Sequence, residues 1–204
     1  MKKYIAELVG TYVLSLVVLL SVAGATLPMT PLLAGVTLAL FVYTIGPLSG
    51  SHINPAVTFG LWVSGKISTE EGLNYIVAQL IGAVAALGTA WFAIADLSSD
   101  LSNIQDRVGM DPFVGLGELL GAIVFGFGIM SVVSGKVKDE LSGIVIGGSL
   151  FLGIVIAGSL SNGILNPAVA VALGSIDIMH VFGPMIGMVL GMRLFLYLYP
   201  PRRK

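Results

Sequence analysis

Long apolar runs dominate this chain, and polar residues cluster in the short stretches between them. Six runs approach or exceed the roughly 20 residues that a helix needs to cross about 30 Å of hydrocarbon. They cover residues 5–25, 32–48, 73–95, 113–133, 141–159 and 178–199. The runs are too long and alternate too little for barrel strands, which take about 9–11 residues each. The pattern predicts an all-α membrane protein with six transmembrane helices.

Two shorter apolar segments begin with the same tripeptide, Asn-Pro-Ala: Asn54, Pro55, Ala56 and Asn166, Pro167, Ala168. Asn is a favourable N-cap and Pro is favoured at the first helical position, so each tripeptide predicts a helix start. Counted to Ser64 and Gly174, the helices have 11 and 9 residues, or about 16 Å and 13 Å. Each therefore covers only about half of a bilayer.

The chain contains an internal repeat. Glu7-Leu-Val-Gly10 recurs 111 residues later at Glu118, and the tripeptide at Asn54 recurs after 112 residues; a weaker echo relates Gln79-Leu-Ile-Gly82 to Pro184-Met-Ile-Gly187. Each copy, 1–95 and 113–204, holds three spans. Because three is odd, the second copy must be inverted relative to the first. The sequence predicts one channel domain, 1–204, whose halves are joined by an extracellular loop, 96–112, and whose two short helices meet N-terminus to N-terminus.

The segments that lead into the two tripeptides, 46–53 and 158–165, are too rich in Gly and Ser to be predicted helical. Irregular backbone at membrane depth persists only where it is buried in protein or lines a water-filled cavity. The sequence therefore predicts a pore. The amides of Asn54 and Asn166 would donate hydrogen bonds there, and the two helix N-termini would disfavour cations.

Composition and charge fix the class and the orientation. The chain is 56% hydrophobic and 10% charged, against about 25% charged in soluble proteins. With six alternating spans, nine basic residues fall on one side and only Arg107 on the other, so both termini are predicted cytoplasmic. On the Arg107 side lie Asp96, Asp100, Asp106, Asp111 and Asp177. The start imitates a cleavable signal peptide, but Glu7 and the repeat favour a retained first span. Compact loops without a transit segment suggest a prokaryotic cell membrane.

Several motifs resemble the aquaporin and glycerol-facilitator family over nearly the whole chain: AELVGT at 6–11, SGSHINPAVTFGLWVSGKIS at 49–68, YIVAQLIGA at 75–83 and GPMIG at 183–187. The resemblance implies six helices plus two re-entrant half-helices, a homotetramer with one pore per subunit, and passive flow of water or small neutral solutes. It also implies that Glu7 and Glu118 brace the re-entrant loops, although an ionisable residue in a span also suggests a proton relay.

This chain departs from the family at the selectivity filter. The second tripeptide usually continues with Arg, and glycerol-conducting members then have Asp; here these residues are Val169 and Ala170. Spacing assigns the other filter positions to Ala34, Ile154 and Gly163. The predicted filter is apolar and wider than in strict water channels, so proton exclusion would fall mainly to the asparagines.

Two histidines complete the candidate residues. His52 is predicted to form structural hydrogen bonds within the first loop, with pore lining and pH sensing as alternatives. His180 opens the last span and is predicted at the membrane interface.

The sequence predicts a passive channel for water and small neutral solutes. The alternatives are a glycerol, urea or ammonia facilitator with little water selectivity and, less favoured, a proton-coupled secondary transporter. A serine hydrolase using Ser49 or Ser51 with a histidine lacks a positioned base in the sequence, and a structural role with little conduction stays open. We expect no enzymatic activity, no cofactor, no nucleic-acid partner and no metal site; the absence of cysteine excludes thiolate metal ligands and disulfides.

Overall fold

The computed structural model describes residues 1–24, 26–94, 97, 101 and 110–200. Within them the apolar segments form helices α1 (Lys2–Ala23), α2 (Thr30–Thr44), α3 (Pro55–Val63), α4 (Thr69–Ala93), α5 (Pro112–Val133), α6 (Ser142–Ala157), α7 (Pro167–Leu173) and α8 (Ile178–Leu198). Short 3₁₀ turns at Leu27–Met29 and Asp139–Leu141 precede α2 and α6, and the described part of the chain contains no β-strand. The predicted all-α fold is confirmed.

Some predicted features lie outside the described residues. These are Ala25 at the end of the first run, Ala95 at the end of the third, most of the joining loop 96–112 with Asp96, Asp100, Asp106 and Arg107, and the basic tail Arg202, Arg203 and Lys204.

Five helices are long and apolar enough to cross a bilayer, among the residues described: α1, α4, α5, α8 and α6 with its preceding turn. The remaining predicted span, 32–48, is not one continuous helix in the structure. Helix α2 has 15 residues, and a separate helical turn follows at Gly46–Ser49. Pro47 explains the break, because it has no N–H to donate to the helix that precedes it. The prediction that 46–53 contains no helix is therefore wrong for this one turn, which ends at Gly50 with φ of 86°.

The half-helices are slightly shorter than predicted, because their end residues are caps. Helices α3 and α7 have nine and seven residues. Asn54 and Asn166 have extended backbones and cap the two helices, with Oδ1 accepting from the N–H of Ala56 at 2.8 Å and of Ala168 at 3.0 Å. Both prolines occupy the first helical position, where a missing N–H removes no hydrogen bond.

Glycines allow the long helices to approach backbone to backbone. A Cβ on Gly147 of α6 would collide with the carbonyl oxygen of Gly35 in α2, and a Cβ on Gly121 of α5 with that of Gly153 in α6. A Cβ on Gly187 of α8 would likewise meet a carbonyl of α5. Small residues commonly form such contacts in membranes, where van der Waals packing between helices replaces the hydrophobic driving force. These contacts hold the helices around the two short ones.

Two adjacent glycines of α6 provide a matched test of this packing. Gly147→Val places atoms against the Gly35 carbonyl and within 2.9 Å of Ala39 Cβ, whereas a Cβ on Gly148 meets nothing within 4 Å. We expect Gly147→Val to destabilise the detergent-solubilised protein by about 1–3 kcal/mol and Gly148→Val to change stability by no more than about 0.5 kcal/mol. Thermal unfolding followed by size-exclusion chromatography measures both, and equal melting temperatures would contradict the packing.

Candidate functional site

The two half-helices meet through their capping asparagines. Asn54 Nδ2 donates to the carbonyl of Leu165 at 2.9 Å, and Asn166 Nδ2 donates to the carbonyl of Ile53 at 3.1 Å. Each side chain thus caps its own helix with its oxygen and binds the opposite loop with its nitrogen. Ala56 and Ala168 are fully buried beside this junction.

The residues before the asparagines have an unusual backbone. Ile53 and Leu165 have φ of 40° and 53°, in the left-handed region that side chains rarely adopt. Such conformations cost about 1–3 kcal/mol each and persist only where their surroundings hold them. Here a carboxylate binds the N–H and an asparagine amide binds the carbonyl of each residue.

Glu7 holds the first loop. Its carboxylate is fully buried and accepts from four donors: Ser49 Oγ at 2.7 Å, His52 N at 3.0 Å, Ile53 N at 2.6 Å and Gln79 Nε2 at 2.8 Å. Three of these donors belong to the loop, and the fourth reaches in from α4. A buried carboxylate is costly unless it is hydrogen-bonded. These four contacts satisfy the carboxylate, and two of them also satisfy the backbone N–H groups of His52 and Ile53.

Glu118 holds the second loop in the same way. It is fully buried and accepts from Ser161 Oγ at 2.8 Å, Ile164 N at 2.9 Å and Leu165 N at 2.7 Å. His180 approaches it from α8, with Nε2 at 3.9 Å from Oε1. The interfacial position of His180 stays a prediction; its side chain is fully buried between Glu118 and Asp177.

His52 lies within the first loop. Its Nδ1 is 3.2 Å from Thr58 Oγ1, and its ring contacts the edge of Tyr75 with centroids 5.0 Å apart. Tyr75 in turn donates to the Ser49 carbonyl at 2.7 Å. Sequence reasoning missed these partners. The one signal in the sequence was Gln79, a polar residue inside an apolar span, whose amide donates to the same Thr58 hydroxyl at 2.9 Å.

Two cavities lie beside the loops and the half-helices. The upper cavity, about 410 Å³, is lined by all four predicted filter residues and by Asn166. The four are Ala34, Ile154, Gly163 and Val169. The lower cavity, about 170 Å³, is lined by Ser51, His52, Val57, Leu61 and Lys66, among others.

The cavities lie at successive levels along the same helices. Helix α2 contributes Ala34 to the upper cavity and Leu38, one turn later, to the lower one. Helix α6 passes the cavities in the opposite order, contributing Ile146 to the lower cavity and Leu150, one turn later, to the upper one. The upper cavity thus reaches Asn166, while the lower one reaches His52 and Val57 on the two sides of the first tripeptide.

The predicted serine and histidine candidates do not form a catalytic pair in the described structure. Ser49 Oγ donates to Glu7, and the His52 ring contacts the hydroxyl of Thr58 rather than that of a serine. An activated serine needs a base within hydrogen-bond reach. This geometry supplies no histidine base to Ser49, whose hydroxyl binds the carboxylate that holds the loop, and buried Ser51 Oγ has no hydrogen-bond partner among the described residues.

The major intrinsic protein family model matches residues 1–197. The chain belongs to this family. Glycerol uptake facilitator protein-like 6 of Lactiplantibacillus plantarum is 31% identical over 82% of the chain and 81% of the relative. Aquaporin AqpM of Methanothermobacter marburgensis is 30% identical over 97% of each. An aquaglyceroporin structure from Plasmodium falciparum aligns with a TM-score of 0.72 at 21% identity, covering 97% of this chain and 94% of that one, which identifies the fold of this major intrinsic protein.

Replacing Glu7 tests the bracing of the first loop. In Glu7→Gln one acceptor oxygen becomes an NH₂ group that faces donors, so at least one buried N–H or hydroxyl loses its partner. An unsatisfied buried group costs about 1–3 kcal/mol, and we expect the melting temperature to fall accordingly. The control is Glu70→Gln, whose side chain is exposed on α4. Equal unfolding temperatures for the two variants would contradict the role of Glu7.

Proposed function

We propose that water and small neutral solutes pass from the upper cavity, between Asn54 and Asn166, into the lower cavity. Family membership makes the chain a passive membrane channel for water or small solutes rather than an enzyme. The observation that carries the proposed route is the asparagine junction with a cavity on each side.

The chemistry of the junction favours neutral permeants. Two helix N-termini point at it, and each carries partial positive charge. The asparagine amides are donors, and loop carbonyls are acceptors, so a molecule such as water can exchange its hydrogen bonds there. A cation meets an unfavourable field at the same point.

The proposed filter is the ring of four predicted residues within the upper cavity. Ala34, Ile154 and Val169 are aliphatic and Gly163 has no side chain, so the ring has no side-chain donor or acceptor. It cannot replace the hydration of a polar solute selectively. We infer that it discriminates weakly by chemistry and admits solutes larger than water, as a facilitator of glycerol, urea or ammonia would.

The proposed setting is a cell membrane. The proposed partners, besides the permeant, are lipid and three further copies of the chain in a homotetramer with one pore in each subunit. Two inverted repeats, 1–95 and 113–204, span this membrane with both termini in the cytoplasm. One contact supports a shared side: Lys3 near the start of α1 pairs with Glu71 in the first turn of α4 at 2.6 Å. Basic residues on that side fit a cytoplasmic face. Relatives of similar identity occur in a bacterium, an archaeon and plants, and we propose a prokaryotic source.

Val169→Arg tests the filter. A guanidinium in the upper cavity adds donors and positive charge and narrows the passage. We expect wild-type proteoliposomes to conduct glycerol and urea as well as water. In Val169→Arg, solute flux should fall about tenfold, equivalent to a barrier about 1.4 kcal/mol higher, with a smaller effect on water. Stopped-flow light scattering measures each flux.

Val169→Leu is the control for that experiment, since it keeps an apolar side chain. Wild-type protein that conducts water but rejects glycerol and urea would contradict the weak filter. Saturable uptake driven by a pH gradient would instead favour a secondary transporter over a channel.

Asn54→Asp tests cation exclusion at the junction. Aspartate keeps the oxygen that caps α3 but loses the amide donor to Leu165 and adds a negative charge. We expect proton leak under an imposed membrane potential, read with a pH-sensitive dye inside proteoliposomes. Asn74→Asp, an exposed change on α4, should leave proteoliposomes tight. A folded, water-conducting Asn54→Asp protein without proton leak would refute the electrostatic role.

A further inference from the structure

Two turns of this chain share one sequence. Val63-Ser64-Gly65-Lys66 ends the half-helix α3, and Val133-Ser134-Gly135-Lys136 ends the long helix α5. In each turn the glycine has a left-handed backbone, with φ of 68° and 67°, and the lysine N–H donates to a carbonyl five residues earlier, at 2.9 Å and 3.0 Å. Both are the same kind of helix ending, in which a glycine just past the helix turns the chain. They place two exposed lysines in equivalent local structures.

The two lysines differ in what lies beside them. Lys66 lines the lower cavity. Lys136 lines neither of the two cavities, and its Nζ lies 5.8 Å from the centroid of the Tyr199 ring at the end of α8. Two matching turns therefore present one lysine to the proposed pore and one to an aromatic ring outside it.

The charge of Lys66 has no counterpart on the cavity walls. Among the described residues that line either cavity, it is the one Lys, Arg, Asp or Glu. The ion pairs of the described residues involve Lys3 and His180 but not Lys66. Glu7 lies behind the first loop, where four donors already bind its oxygens. The lower cavity thus carries one full charge on its wall, and this charge is positive.

The remaining wall of the lower cavity strengthens the effect of that charge. Five buried apolar residues form much of it: Leu38, Leu61, Phe125, Ile129 and Ile146. Lys66 is exposed and Val133 is 42% exposed, and both also line the cavity, which therefore reaches the surface beside Lys66. Apolar walls focus the field of a charge into a narrow cleft. A cation that enters at this mouth meets the field before it reaches the asparagines.

We propose that Lys66 is a specificity-determining residue of the channel, whose ammonium group repels cations at the mouth of the lower cavity. This inference rests on the proposed route. Cations are then opposed at two places, by the helix N-termini at the asparagine junction and by a full positive charge at one mouth. Neutral solutes carry no net charge and are not repelled. The upper cavity has no lining Lys or Arg among its described residues, so this second barrier lies on one side of the junction.

Alkylation of a single cysteine measures the electrostatic potential in the lower cavity. The chain has no cysteine, so Val57→Cys, on the cavity wall, supplies the one thiol. Iodoacetate, iodoacetamide and bromoethylammonium are small alkylating agents of negative, zero and positive charge. Dividing the rate of each charged reagent by that of iodoacetamide cancels any change in the reactivity of the thiol itself. Mass spectrometry of the full-length protein in detergent follows each reaction.

Lys66→Gln in this background removes the charge and keeps a polar side chain. We expect the relative rate for iodoacetate to fall about threefold and that for bromoethylammonium to rise about threefold, as for a unit charge at a solvent-exposed site. Both effects should largely vanish at about 1 M salt, where the screening length is about 3 Å. Lys136→Gln is the matched control and should leave both relative rates unchanged.

Unchanged relative rates in Lys66→Gln, or equal changes in Lys66→Gln and Lys136→Gln, would refute the proposal. Ile129→Cys, a second position on the cavity wall, replaces Val57→Cys if that variant does not fold. Thiols that iodoacetamide cannot reach at either position would also refute the proposal, because the cavity would then be closed beside Lys66.

Proton leak connects this charge to selectivity. Asn54→Asp is expected to leak at the junction, and adding Lys66→Gln should raise that leak about threefold, whereas adding Lys136→Gln should not. Equal leaks in the two double variants would contradict a role of Lys66 in selectivity. Wild-type protein without water flux would defeat the proposed function instead, while the alkylation rates would still decide whether Lys66 sets the potential in the lower cavity.

Discussion

The structure depends on the need to satisfy backbone N–H groups in two non-helical segments at membrane depth. Neither segment has a neighbouring strand to pair with, and the N–H groups that precede each asparagine are directed to buried carboxylates. Glu7 and Glu118 solve this problem, each accepting two consecutive backbone N–H groups and a serine hydroxyl of its loop. The donors offset the cost of burying the carboxylates. Charge and irregular backbone, both unfavourable alone, stabilise each other here.

The asparagines complete this arrangement by linking the halves. A left-handed Ile53 or Leu165 is unfavourable on its own, but its N–H is held by a carboxylate of its own half and its carbonyl by an asparagine of the other. The halves consequently cannot set their loops independently. The geometry of one half-helix cap is part of the support for the opposite loop.

Local signals in the sequence were sufficient to predict the two half-helices and most of the long helices. Asn-Pro predicted two helix starts, and α3 and α7 begin there; apolar length predicted the long helices. The contacts of Gln79, Tyr75 and His180 were not predictable, because they join residues from separate helices and depend on helix rotation. The break in α2 had a local cause, Pro47, which the apolar run concealed. Spacing assigned Val169 and its three companions to one filter, and all four line one cavity, but their role as a filter stays a prediction.

The glycine contacts described between α2, α5 and α6 have a wider consequence. Where two helices are in contact through their backbones, backbone atoms set the distance between the helix axes. Substitutions of side chains elsewhere then leave the helix positions unchanged. The bore can then be retuned by substituting lining residues alone. One arrangement of helices can therefore serve channels with different permeants during evolution.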